Sequence, residues 1–159
     1  MSSLSQGNAT NAGRTFKLLR EVGQRANLTV YYEAGIQWTD WYQTWDVMTG
    51  RGMNRQIRRA YGVLASRYRP GDTIILMGYS RGAFAVRSLA GLIGRIGLLK
   101  HDEATVSAVR TAYRHYQAGG GSEAASAFRR LLCHDDVQIE AVGVWDTVKA
   151  LGRRTPLDR

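Results

Sequence analysis

Cysteine is nearly absent from this 159-residue chain: Cys133 is the only one. An intramolecular disulfide is thereby excluded, as is a zinc knuckle built from thiolates. A lone cysteine closing an apolar helical stretch reads as a small core residue. Long apolar runs are also missing, and none approaches the roughly 20 residues needed to span a bilayer. The opening MSSLSQGNATNAG has neither the basic nor the apolar region of a signal peptide. The expected location is the cytoplasm of the producing cell, or outside it by export that uses no signal peptide. Acidic residues are scarce, 13 against 22 Lys and Arg, which leaves a formal charge of +9. Such an excess favours anionic surfaces, phospholipid headgroups among them. The positive residues are scattered, from Arg51, Arg55, Arg58, Arg59, Arg67 and Arg69 to Arg129, Arg130, Arg153 and Arg154. A block of five or six like charges is missing, so a nucleic-acid tail is not expected, and solvated Arg-rich helix faces are the plain alternative.

What is present is an ordinary globular composition, 44% hydrophobic and 22% charged, of a length that suits one domain. Residues 1–12 read as a flexible lead-in and 13–159 as a single, incomplete domain. Thr10 or Asn11 can cap a helix carrying Phe16, Leu18, Leu19 and Val22, ended by Asn27. LTVYYEAG (28–35) reads as a buried strand. Residues 36–52 hold Trp38, Trp41 and Trp45 and read as a loop or short irregular helix. Dense aromatics there suit a lipid-facing or substrate-facing flap, or a loop pinned to the body by its own side chains. Helical spacing of Ile57, Ala60, Tyr61, Leu64 and Tyr68 predicts a helix over 54–68, followed by a Pro70-Gly71-Asp72 turn. TIILMGYS (73–80) is a continuous apolar run, expected to be a central parallel strand covered on both faces. Helices are expected over 82–96, closed by Gly97, and over 103–117, with Val106, Val109, Tyr113 and Tyr116 on one stripe. A further helix opens at Ser122 and Glu123, and VQIEAVGVWD (137–146) is a second central strand. Strands alternating with helices predict an α/β fold with a mostly parallel sheet. Three strands are few for a complete doubly wound domain.

Gly78-Tyr79-Ser80-Arg81-Gly82 fits the G-x-S-x-G pattern at a strand-to-helix junction. A strand that ends where a helix begins forces its serine into strained backbone, and the flanking glycines leave room for the close approach. The hydroxyl of Ser80 is then presented at the positive end of the next helix. The backbone N–H of Arg81 faces the same space as an oxyanion donor. The alternative is a strand–helix turn with an incidental serine. A serine nucleophile needs a base held by a third group. Asp146, ending the second central strand, is the candidate acid, with a helix N-cap as its structural alternative; Glu33 is a weaker candidate, and Asp72 reads as a turn residue. In α/β-hydrolases the base is a histidine downstream of the acid. Here His101, His115 and His134 all precede Asp146, and each reads as structural or solvated. The His134-Asp135-Asp136 run does not converge on one ion, so neither a metal nor a cofactor is expected.

GYSRGAFAVRSLAGLI (78–93) and AVGVWDTV (141–148), with YYEAGI (31–36) and TNAGRTFKLL (10–19), resemble one family in the same order. It is the α/β-hydrolase family that includes the phospholipase effectors of bacterial type VI secretion. The resemblance implies a partial three-layer α/β-hydrolase fold acting on lipid or acyl-ester substrates. Ser80 is its implied nucleophile and Asp146 its acid, with Arg81 on the oxyanion side; Tyr79, Gly35 and Trp38 are expected to meet substrate. The family begins with a strand ending in Asp-Gly-Thr and places its catalytic histidine well after the WDT segment. Neither part is in this sequence, and Lys149 stands where the family usually has glycine. The expectation is a piece of a larger hydrolase, of little activity without missing segments or a partner chain. The alternative is a non-catalytic remnant or partner-binding module of the same fold.

Overall fold

The computed structural model describes residues 11–23, 28–33 and 51–145. Helix α1 (Asn11–Gly23) already includes Asn11 and Ala12; the rest of the lead-in lies outside the described residues, as does Asn27. Phe16 stacks on Tyr32, ring centroids 4.6 Å apart, while Leu18 and Val22 remain exposed. Residues 28–33 correct the first strand expected. They form no strand, and Ala34 and Gly35 lie outside the described residues. A β-branched, aromatic run becomes a strand only where a neighbour offers a ladder, and the described ladder joins two other segments.

Helix α2 (Arg51–Arg67) starts three residues before the apolar spacing predicts, taking Arg51 and Gly52 from the expected loop and adding buried Met53. The Trp-rich stretch before it lies outside the described residues. The Pro70-Gly71-Asp72 turn forms as expected, with the Asp72 carboxylate accepting from the Arg69 N–H at 2.8 Å. Strand β1 (Ile74–Tyr79) leads directly into α3 (Arg81–Ile96). Gly97 ends α3 at φ 98°, a left-handed conformation suited to glycine, and donates to the Ile93 carbonyl at 2.8 Å.

After α3 the chain makes a short 3₁₀ turn at His101–Glu103. Helix α4 (Val106–Gln117) starts only after Thr105, whose hydroxyl accepts from the Ala108 N–H. The buried residues of the helix are Val109, Ala112 and Tyr113, while Val106, in its first turn, stays 69% exposed although it shares the face of Tyr113. Helix α5 (Glu123–Leu132) is capped by Ser122 through the Ala125 N–H at 3.1 Å, as expected.

Strand β2 (Ile139–Trp145) runs parallel to β1, from Ile74 opposite Ile139 to Tyr79 opposite Trp145, with Glu140 as the extra residue of one bulge. The parallel pair joined through helices agrees with the α/β expectation. Among the described residues the sheet has these two strands only. One face is packed: Ile74 and Leu76 join Ile57, Tyr61, Leu92, Ile96 and Phe128 in a continuous core. The other face corrects the expectation of cover on both sides. Ile75, Met77 and Tyr79 stay roughly half-exposed, while Ile74 and Leu76 on the opposite face are buried. Cys133 is fully buried, as its sequence setting predicts, and burial pushes its thiol up to about 11.

Tyr61 ties this core together. Fully buried, it donates to the Gly97 carbonyl at 2.8 Å and accepts from the Leu99 N–H at 3.1 Å. Tyr61→Phe leaves both backbone groups unsatisfied, each costing about 1–3 kcal/mol. Equilibrium urea unfolding of the variant is expected to show a loss of roughly 2–4 kcal/mol at unchanged m.

Candidate active site

Ser80 sits between β1 and α3 with no intervening residue. Its N–H extends the ladder to the Trp145 carbonyl at 2.9 Å. Its own carbonyl accepts from the Ala83 and Phe84 N–H groups at 3.0 and 3.4 Å and so opens the helix. One residue thus ends a strand and begins a helix, and its backbone takes the strain. At φ 53° and ψ −120°, Ser80 is the one non-glycine residue of positive φ among those described. Such a conformation costs about 1–3 kcal/mol and persists only where the surroundings impose it. Although Ser80 occupies the N-cap position, its hydroxyl does not cap the helix. Oγ is therefore not consumed by the usual role of serine there.

Gly78 makes the reversal possible. A Cβ at Gly78 would lie 2.6 Å from the Gly82 carbonyl carbon and 2.7 Å from the Ala83 nitrogen, both backbone atoms. Gly82 is different. A Cβ on it meets nothing within 4 Å among the described residues. The first motif glycine is required by packing; for the second, it is the backbone that approaches Gly78.

Around the serine, Arg81 is the first residue of α3, half-buried, where first-turn N–H groups face the helix's positive end. Tyr79 is 41% exposed on the open sheet face, opposite Trp145. Asp146, Gly35 and Trp38 lie outside the described residues. Glu33 accepts from the Tyr31 hydroxyl and pairs with Arg59 at 3.5 Å; burial, with that hydrogen bond, pushes Tyr31 up to about 12.

The three histidines hold structural posts. His101 Nδ1 lies 2.7 Å from the Ser66 carbonyl in the last turn of α2. His134 donates its backbone N–H to the Leu98 carbonyl and sets its ring edge on Tyr68, centroids 5.0 Å apart. Ser66 and Tyr68 precede β1, at the end of the strand away from Ser80. His115 packs on Phe128, centroids 5.4 Å apart. Burial lowers the His134 pKa below its ordinary 6.5, and its Nε2 has no hydrogen-bond partner among the described residues. The unfolded chain therefore binds this proton more readily. Stability is fully present above pH 6.5 and declines as pH falls from there toward the depressed folded value. His134→Phe is expected to flatten that decline in unfolding curves measured from pH 7.5 to 5.

A groove of about 870 Å³ opens between α2 and α4, lined in part by Arg58, Arg110 and Arg114. Sequence spacing reveals only the i, i+4 relation of Arg110 and Arg114. Arg58 joins them through packing.

Among known families, residues 1–158 match the one described as "T6SS, Phospholipase effector Tle1-like, catalytic domain". An uncharacterized protein of Saccharomyces cerevisiae is 30% identical over 167 residues, covering 90% of this chain and 24% of its own length. The chain thus spans about a quarter of the curated relative it matches. No solved structure matches. With the family match running from the first residue to the last but one, and an elbow serine at its centre, the chain belongs to the Tle1-like phospholipase effector catalytic-domain family of type VI secretion.

Proposed function

We propose that Ser80 is the nucleophile of a phospholipase-type carboxylic-ester hydrolase with an α/β-hydrolase fold. The observation that carries it is the Ser80 backbone: positive φ at a strand–helix reversal, with the hydroxyl not spent on a cap. Oγ attacks the ester carbonyl carbon while its proton passes to a general base. The carbonyl oxygen becomes an oxyanion facing the start of α3, where the Arg81 N–H is the proposed donor. Collapse expels the alcohol, which takes the proton from the base, and leaves an acyl-serine. Water, deprotonated by the same base, then releases the fatty acid and restores Ser80.

Asp146 is the proposed acid that orients the base. Support comes from connectivity: it follows Trp145, whose carbonyl accepts from the Ser80 N–H. Tyr79, Gly35 and Trp38 are the proposed acyl-contacting residues. The lipid substrate follows from the family description. Location in the producing cell's cytoplasm, or outside it by export that uses no signal peptide, is part of the same proposal.

One observation favours a second reading, a non-catalytic partner-binding module. All three histidines are engaged in packing or backbone contacts away from Ser80. For the hydrolase, the general base is then proposed to be a group other than these three histidines as they are packed. A fluorophosphonate probe applied to the intact gene product separates the two. Labelling at Ser80 together with release of fatty acid from phospholipid vesicles supports the hydrolase; a folded product that does neither is the module.

A further inference from the structure

We propose that the groove between α2 and α4 binds a phosphate ester, separately from the serine site. Its walls bring together three guanidinium groups, from Arg58, Arg110 and Arg114, with the neutral polar side chains of Asn54, Ser107 and Gln117, and no carboxylate lines it. Among the described residues the one ion pair is Arg59 with Glu33, so none of these three arginines is neutralised by a described acid. Three like charges facing one concavity repel one another, and an anion placed among them relieves that repulsion.

Two of the arginines are held in place. The Arg58 Nε donates to the Asn54 carbonyl at 3.2 Å, and its guanidinium lies 5.8 Å from the centre of the Tyr113 ring. Tyr113 is fixed in turn by donating to Asn54 Oδ1 at 2.7 Å. The Arg114 Nη2 donates to Thr111 Oγ1 at 3.0 Å. Guanidinium groups held this way lose little freedom on binding, and their planar forks match phosphate oxygens in pairs. Arg110, exposed on the turn between, is the adaptable member.

The groove has room for more than a bare anion. A volume of about 870 Å³ exceeds what a bare phosphate fills and falls in the ordinary range of sites for ligands with a body. A phosphate carrying an alcohol moiety, such as glycerol, fits that description, whether free or as the headgroup of an anionic phospholipid. Exposed Val106 also lines the groove and gives it an apolar contact for the ester's carbon part. The choice of a lipid as one source rests on the phospholipase reading; the anion site itself does not.

The test uses the intact gene product carrying Ser80→Ala, so that its outcome does not depend on hydrolysis. Binding is measured by co-sedimentation with phosphatidylglycerol-containing vesicles and with pure phosphatidylcholine vesicles, and by titration with soluble glycerol phosphate. Arg110→Glu with Arg114→Glu is compared with Arg14→Glu and Arg130→Glu, exposed residues elsewhere that change the formal charge equally. The groove pair is expected to weaken anionic-vesicle binding roughly tenfold or more, and the control pair less than about threefold. Groove-dependent binding of glycerol phosphate without vesicle binding supports the site and assigns it a soluble ester. Equal losses in the two pairs overturn the proposal in favour of diffuse attraction by net charge. Groove-dependent binding of duplex DNA without either phosphate ester overturns it in favour of nucleic acid.

Discussion

Ser80→Ala in the intact gene product is expected to lower phospholipid hydrolysis by roughly 10⁴-fold or more and to abolish fluorophosphonate labelling. The size of the loss follows from the chemistry: without Oγ no acyl-enzyme forms, and only oxyanion stabilisation and substrate positioning remain. Stability responds differently. Alanine at this position still carries the strain of a positive φ, so Ser80→Ala is expected to unfold within about 0.5 kcal/mol of the parent. Ser80→Gly removes that strain and should gain about 1 kcal/mol while losing activity as completely as alanine. A residue whose replacement stabilises the fold and ends the reaction is one where strain serves chemistry. Activity of Ser80→Ala within tenfold of the parent would remove Ser80 from the mechanism.

The elbow is legible in sequence because its causes are local. An apolar strand, a glycine two residues before the serine and small residues after it fix the reversal within a dozen positions. The caps at Ser122 and Gly97 are legible for the same reason. Non-local causes are not. LTVYYEAG has the composition of a strand, yet a strand exists only with a hydrogen-bonding neighbour, and composition does not name one. IILM (74–77) is apolar at every position, whereas the structure covers only alternate residues of β1; the run records what the strand tolerates, not which face a helix occupies. Val106 fits the spacing of a buried stripe but stands in the first turn of its helix and stays exposed, because spacing tells the face and not how far along it the core extends. The arginine groove joins residues some 50 positions apart, beyond the reach of periodicity. The candidate acid, Asp146, is read from sequence and family alone.

Gly78→Ala is the second substitution with a large expected effect, and its cause is packing rather than chemistry. The added methyl would sit 2.6 Å from the Gly82 carbonyl carbon and 2.7 Å from the Ala83 nitrogen. A flexible side chain could rotate away from such a contact, but these are backbone atoms of the first turn of α3. That turn is tied to the Ser80 carbonyl by the N–H groups of Ala83 and Phe84. Relief therefore requires β1 and α3 to separate, which opens the core where Ala83 and Leu76 are buried. A loss of about 3 kcal/mol or more is expected, a large fraction of a marginal domain's stability. Gly82→Ala provides the contrast. Its Cβ enters open space, and alanine suits a helical position better than glycine by up to about 1 kcal/mol, so its stability should hold or rise. If the space above Gly82 is where the ester carbonyl is held, Gly82→Ala should instead reduce kcat/KM in a fully folded protein. Urea unfolding and hydrolysis measured together on both variants separate the two roles. Equal stability of Gly78→Ala and the parent would mean that strand and helix do not meet as closely as the elbow requires, and the presentation of Ser80 would lose its structural basis.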